Sequence, residues 1–173
     1  APTGELFDRT VASGRSLPSD AEVVFDVEHV LDAAALAPQI TWGTNPEQVV
    51  AVTGHVPDPA DEPDPGRRRA MEAALVYMGL QPGQPMLGLA VDWVFIGSCA
   101  NSRLSDLREA AAVVAGRHVA AGVQAWVVPG SVDVMRAAEA EGLDRVFRSA
   151  GFEWREPSCS MCLAANGDVV GPG

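Results

Sequence analysis

The chain has 173 residues, a formal net charge of -11 and 47% hydrophobic residues. The acidic charge argues against a general affinity for nucleic acid, whose phosphates attract clustered Lys and Arg. The length and apolar content suit one α/β domain with a hydrophobic core. No stretch reaches the roughly 20 apolar residues that a membrane span needs. Three cysteines do not suggest the disulfide framework of a secreted protein. We therefore expect a cytoplasmic protein.

The N-terminal part of the chain gives mixed signals of secondary structure. Residues 1–20 show no sustained periodicity and are predicted to be a connecting arm. Residues 22–28 alternate polar and apolar side chains, which is typical of a half-buried strand. A polar capping residue followed by Pro46 predicts a short helix that ends near Val52.

Residues 57–66 form an acidic, proline-rich segment that interrupts the pattern. We predict an exposed loop there, because proline lacks the backbone N–H that a β-sheet needs and the segment has little apolar surface to bury.

Met71, Leu75 and Met78 then recur at helical spacing. Gly79 lies where a helix usually ends. This spacing predicts a helix packed against other parts of the protein.

The second half of the chain alternates between strand and helix patterns. The predicted strands cover residues 91–96, 123–128 and 152–154, and the predicted helices cover residues 104–114, a segment capped by Ser131, and residues 143–150. Such alternation is the signature of a mostly parallel sheet covered by helices.

All three cysteines lie in two short stretches of this second half. Cys99 directly follows a predicted strand and precedes a helix, at the sheet edge where open α/β folds bind ligands. Cys159 and Cys162 have the C-x-x-C spacing that allows two sulfurs to converge on one metal ion or cluster. The pattern predicts three thiols gathered at one end of the sheet.

The residues alone leave several roles open for these cysteines. A C-x-x-C pair is compatible with zinc, a redox disulfide or a cluster, and Cys99 by itself is compatible with simple packing in the core. The three histidines, His29, His55 and His118, show no ligand-like spacing with the cysteines, so a fourth zinc ligand is not evident.

Two segments resemble signatures of the aconitase superfamily. FIGSCANSR at residues 95–103 resembles F-I-G-S-C-T-N-S-R of that superfamily, and AGFEWREPSCSMCLA at residues 150–164 is similar to A-G-F-E-W-R-x-P-G-C-S-M-C-L-A of its isopropylmalate isomerase branch. The resemblance extends from about residue 20 to the end. It implies a three-layer α/β/α iron-sulfur domain over residues 21–173, with a mostly parallel sheet.

The resemblance also implies a site and an activity. Cys99, Cys159 and Cys162 would bind a four-iron, four-sulfur cluster whose fourth iron stays open as a Lewis acid. The implied enzyme is a hydro-lyase of leucine biosynthesis that interconverts 2- and 3-isopropylmalate. Its partner would be a small subunit that carries a swivelling domain with the serine base. Homoaconitase or another dicarboxylate hydratase, and a non-catalytic zinc or disulfide module, are the alternatives.

Residues around Cys99 are candidates for hydrogen bonds to cluster sulfur or to substrate, namely Ser98, Asn101 and Ser102. The sequence departs from the family at Ala100, where threonine is usual, and at Ser158, where glycine is usual. Neither position is a predicted cluster ligand. We expect these departures to affect the fine tuning of the site or the choice of substrate more than the binding of the cluster.

We expect the sequence to be a fragment with an incomplete active site. It begins at Ala1 without an initiator Met and stops in a turn-forming segment at residues 170–173. The family's arginine-bearing N-R-N-F-x-G-R segment is absent from it. No catalytic residue is therefore assigned within the chain, which is predicted to be inactive alone.

Overall fold

A computed structural model describes residues 3–164 and 167–170 of the chain. The chain divides into two compact units, Ala1–Gln84 and Pro85–Gly173. The domain boundaries predicted from the sequence stay a prediction. Within the described ranges, no helix is both long enough and apolar enough to cross a membrane.

The first unit combines two helices with one hairpin. Its elements are α1 (Gly4–Arg15), β1 (Gln39–Thr41), β2 (Val49–Ala51) and α2 (Pro65–Met78), with short 3-10 turns at Ala33–Ala35 and Pro59–Asp61. β1 and β2 pair antiparallel, with Ile40 opposite Val50.

The strand predicted near the N-terminus is wrong, and the predicted connecting arm is partly helical. The predicted arm contains α1, a helix with no buried residue. The predicted strand at residues 22–28 is not formed. Its apolar side chains remain exposed, Val23 to 45% and Val27 to 67%, so the alternating pattern has no surface to pack against within the described structure. Alternation alone does not form a strand without a pairing partner.

The predicted helix at residues 46–52 is also wrong, because a polar side chain closes a hairpin there instead. The buried Gln48 side chain accepts hydrogen bonds from the backbone N–H of Thr44 at 2.6 Å and of Asn45 at 3.3 Å. The Trp42 N–H donates to the Gln48 carbonyl at 2.9 Å. These bonds hold a turn, and β-branched Val49 then enters β2.

The acidic segment at residues 57–66 is mostly exposed and supplies caps. Asp58 accepts a hydrogen bond from the Ala60 N–H at 2.8 Å, and Pro59 is buried. Asp64 accepts from the Arg67 N–H at 2.7 Å, so α2 begins at Pro65, before the apolar spacing that predicted the helix. The predicted end at Gly79 is confirmed, because this residue adopts the left-handed conformation.

The second unit confirms the predicted α/β alternation. Its elements are β3 (Trp93–Gly97), α3 (Leu104–Val114), β4 (Gln124–Val128), α4 (Val132–Ala140), α5 (Leu143–Ser149) and β5 (Glu153–Trp154). The strands form a parallel sheet in the order β3-β4-β5. The predicted cap is also confirmed, because Ser131 Oγ accepts from the Val134 N–H at 3.2 Å.

The core of this unit lies between the sheet and its three helices. Fully buried Leu107 of α3, Val127 of β4 and Phe147 of α5 belong to one apolar cluster, and the three helices contact one another. Successive right-handed crossovers between parallel strands in this order place their helices on the same face. The second helical layer of the predicted three-layer arrangement stays a prediction.

Candidate functional site

Both cysteine stretches lie at the same edge of the parallel sheet. Cys99 comes two residues after the end of β3, and the segment with Cys159 and Cys162 follows β5. The strands run in the same direction, so their carboxyl ends share one edge. In open α/β folds this is the edge where ligands bind.

The loop that carries Cys99 depends on close backbone packing. Gly97 has φ +150°, and a Cβ atom added there would lie 2.4 Å from the Val128 carbonyl oxygen. Only glycine fits this approach. Ser98 follows with φ +67° and is buried, and Cys99 is then exposed. The left-handed turn therefore brings the Cys99 thiol out of the sheet and towards the surface.

A second glycine supports the same loop from β4. The Gly130 N–H donates to the Ser102 carbonyl at 3.1 Å, and a Cβ atom on Gly130 would lie 2.9 Å from that oxygen. α3 then begins, and the Arg103 N–H donates to the Asp106 carboxylate at 3.0 Å. The loop is thus fixed at both of its ends.

The three candidate hydrogen-bond donors around Cys99 have different environments. Ser98 is buried and Asn101 is exposed. Ser102 is fully buried, and its hydroxyl has no hydrogen-bond partner among the described residues. A buried hydroxyl without a partner is costly, so the Ser102 hydroxyl is the one whose environment most favours a further acceptor.

The second cysteine stretch forms a single 3-10 turn. The Cys162 N–H donates to the Cys159 carbonyl at 3.0 Å. Between them, Ser160 is fully buried with φ +46°, and its hydroxyl donates to Asp168 Oδ2 at 2.6 Å. The turn places Cys159 half-buried and Cys162 exposed.

The Cys159 thiol lies close enough to both other cysteines to be affected by them. Charge repulsion from Cys99 raises the pKa of the Cys159 thiol, and burial, repulsion from Cys162 and a hydrogen bond with Cys99 act in the same direction. All three cysteines are free thiols. The structure therefore brings the two separate sequence stretches together, with Cys159 interacting with both other cysteines.

The donor set of the site consists of three thiols. Among the residues that the structure describes, no group of three or more His, Cys, Asp or Glu side chains could hold a metal ion. Cys thiolates are the ligands of iron-sulfur clusters, and three of them would leave one iron of a four-iron cluster without a protein ligand. The type and number of the donors therefore fit a cluster with one open iron.

An ion-pair network beside the second cysteine turn was not predicted from the sequence. The Arg155 guanidinium lies 3.9 Å from the centre of the Trp126 ring, and its Nη2 lies 2.5 Å from Asp168 Oδ1. Nη1 contacts Glu153 at 3.0 Å. Arg155 was visible in the motif at residues 150–164, but nothing in the sequence pattern pointed to Asp168.

Comparison with known proteins places these features in a family. The family model described as Aconitase family (aconitate hydratase) matches residues 1–173. The chain belongs to the aconitase family. The resemblance inferred from the two cysteine motifs is thereby confirmed.

One curated relative of this aconitase-family chain is the protein named 3-isopropylmalate dehydratase large subunit 1 of Bradyrhizobium diazoefficiens. The two are 63% identical over 173 residues, which is 100% of this chain and 36% of the relative. The chain thus spans about a third of the length of that relative. Its second unit carries both cysteine motifs.

Proposed function

We propose that this chain is the cluster-binding part of the large subunit of a 3-isopropylmalate dehydratase. This hydro-lyase interconverts 2- and 3-isopropylmalate in leucine biosynthesis by removing and re-adding water. The carrying observation is that Cys99, after β3, and the Cys159–Cys162 turn, after β5, lie at the same ligand-binding edge of a parallel sheet, with Cys159 close to both other cysteines. The 63% identity to a relative of that name supports the substrate.

In this proposal the three cysteines bind a four-iron, four-sulfur cluster as thiolates. The bound cluster supplies an open iron that acts as a Lewis acid on the substrate hydroxyl. The chain's own residues position the ligands, since Gly97 and Ser98 turn Cys99 outward and Ser160 holds the turn between the other two. A fourth thiolate would compete for the open position, and the sequence contains only three cysteines.

The hydroxyl of Ser102 is the best candidate for a hydrogen bond to the cluster. It is buried behind the Cys99 loop without a partner in the described part of the chain. Hydrogen bonds to cluster sulfur tune reduction potential and stability. Ser98 and Asn101 are further proposed donors of the same kind.

The proposed enzyme is a cytoplasmic heterodimer that works with a small subunit. That subunit would supply the swivelling domain and the serine base, and the substrate would be a small dicarboxylate. Free thiols in the proposed site fit a reducing compartment. The phrase "large subunit" in the name of the relative supports a smaller partner.

The proposal is tested on the full-length protein by anaerobic reconstitution with iron and sulfide. We expect visible absorption typical of an iron-sulfur cluster and an EPR signal after mild oxidation. Activity is then measured with the small subunit added, on isopropylmalate, homocitrate and citrate. Preference for isopropylmalate supports the proposed substrate. Preference for another hydroxy acid would assign the protein to a different branch of the aconitase family. Stoichiometric zinc with no cluster uptake would contradict the proposal.

A further inference from the structure

Asp168 is a buried carboxylate that connects the second cysteine turn to the sheet. Its residue is 8% exposed. One carboxylate oxygen lies 2.5 Å from Arg155 Nη2, and the other accepts the Ser160 hydroxyl at 2.6 Å. A carboxylate buried this far needs charged and hydrogen-bonding partners, and both are present.

Arg155 gives this carboxylate a rigid anchor. Its backbone N–H donates to the Val127 carbonyl at 2.9 Å, which ties it to the central strand β4. Its guanidinium lies over the Trp126 ring at 3.9 Å, an arrangement that favours a fixed orientation of the side chain. Asp168 is therefore held by a residue that its backbone hydrogen bond and its contact with Trp126 fix to the sheet.

Ser160 is the residue on which this anchor acts. It lies between the two cysteines of the C-x-x-C pair and adopts φ +46°, which is unfavourable for a residue with a side chain. Its hydroxyl is fully buried and bonded to Asp168. The bond holds Ser160 in a conformation that its own backbone preference opposes.

We propose that Asp168 is a positioning residue for the cluster ligands. Through Ser160 and Arg155 it fixes the Cys159–Cys162 turn relative to Cys99, so that the three thiols are arranged for the cluster before it binds. This inference rests on the proposed cluster-binding function. It adds a residue that lies outside both cysteine motifs, six positions beyond the last cysteine.

The test compares variants of the full-length protein. Asp168→Ala removes the contacts with Arg155 and Ser160, Asp168→Asn keeps the size of the side chain but removes its charge, and Ser160→Gly removes the hydroxyl while relieving the backbone strain. Glu153→Gln is the matched control, because it removes the other carboxylate paired with Arg155, on an exposed side chain. Circular dichroism checks that each variant is folded.

The first measurement is the rate at which the cluster is lost in air, followed by visible absorption. Changing partners that support metal ligands typically costs about 10- to 100-fold in metal affinity. We expect loss about tenfold faster in Asp168→Ala, a smaller effect in Asp168→Asn, and none in Glu153→Gln. Equal rates in Asp168→Ala and Glu153→Gln would overturn the inference.

The second measurement does not require a cluster. Thiol alkylation of the metal-free protein, mapped by mass spectrometry, gives the reactivity of Cys159 and Cys162 relative to Cys99 in the same molecule. We expect this ratio to rise severalfold in Asp168→Ala and Ser160→Gly, to rise by less in Asp168→Asn, and to stay constant in Glu153→Gln. An unchanged ratio in Asp168→Ala, or in Asp168→Asn if the alanine variant does not fold, overturns the positioning role.

The two measurements separate the inference from the proposed function. If the wild-type protein takes up no cluster, the proposed function fails, and the alkylation ratio still decides whether Asp168 orders the turn. If the wild-type protein binds a cluster and the Asp168 variants lose it at the wild-type rate, only the positioning role fails.

Discussion

The two cysteine loops at the edge of the sheet are held by different kinds of interaction. The Cys99 loop is fixed by backbone packing, through Gly97 against Val128 and Gly130 against Ser102. The Cys159–Cys162 turn is fixed by side chains, through Ser160, Asp168 and Arg155. Added volume should therefore disturb the first loop, and lost polar contacts should disturb the second.

The largest effect is expected for Gly97→Ala. The new Cβ would lie 2.4 Å from a carbonyl oxygen and 2.9 Å from the Val128 Cβ, at a φ of +150°. Overpacking and backbone strain together should lower the free energy of unfolding by about 3 kcal/mol or more. Urea unfolding of the full-length protein, followed by tryptophan fluorescence, measures this. A change below about 1 kcal/mol would mean that β3 and β4 separate easily at this point.

Arg155→Ala should have the next largest effect and should act on the other loop. It leaves the Asp168 carboxylate without its cation and removes the contact with Trp126. We expect the free energy of unfolding to fall by about 2 kcal/mol. This is less than the cost of breaking a fully buried ion pair, because the Arg155 side chain is 29% exposed. The same unfolding assay measures it. Arg155→Lys, which retains the charge but not the planar fork, should recover only part of the loss.

Gly130→Ala should have a smaller effect on the Cys99 loop. Its added Cβ would lie 2.9 Å from the Ser102 carbonyl oxygen, and Gly130 is not among the residues with positive φ. The overlap is with a backbone atom, so the loop must shift, but no left-handed strain adds to it, and we expect the free energy of unfolding to fall by about 1 kcal/mol. Alkylation should show a change at Cys99 and none at Cys162. A change confined to Cys162 would contradict the separation of the two loops.

Ser98→Gly should have the smallest effect. Glycine relieves the left-handed strain at φ +67° but adds backbone entropy to the unfolded state. These contributions oppose each other, so we expect a change within about 1 kcal/mol of zero. If urea unfolding shows that the free energy of unfolding falls by much more than this range, the buried Ser98 side chain stabilises the loop by its own contacts.

The features that were predictable from the sequence depend on local patterns or on the topology of the sheet. The parallel sheet and the helices from residue 91 onward were predictable because apolar periodicity and capping residues such as Ser131 act locally. The approach of Cys99 to Cys159 followed from the shared edge of parallel strands. The sequence alone, however, left zinc, a disulfide and a cluster open, and the family motifs narrowed the choice.

The misses have physical causes that apolar periodicity and capping signals do not contain. Gln48 closes a hairpin with its side chain, which overrides a helix signal at Pro46. The alternating residues 22–28 remain exposed and form no strand. Asp168 interacts with Arg155, 13 positions away, and no motif marks such a contact. The polar contacts between residues distant in sequence were the part of the site that the sequence patterns did not predict.

The most direct test of the central claim is cluster uptake by single-cysteine variants of the full-length protein. Cys99→Ala, Cys159→Ala and Cys162→Ala are reconstituted anaerobically with iron and sulfide beside the wild type, with Ser158→Gly as the control that leaves every proposed ligand in place. We predict that wild type and Ser158→Gly bind about four irons per chain and that each cysteine variant loses the visible absorption of the cluster. A cluster retained in Cys99→Ala would contradict the claim that the two loops bind it together.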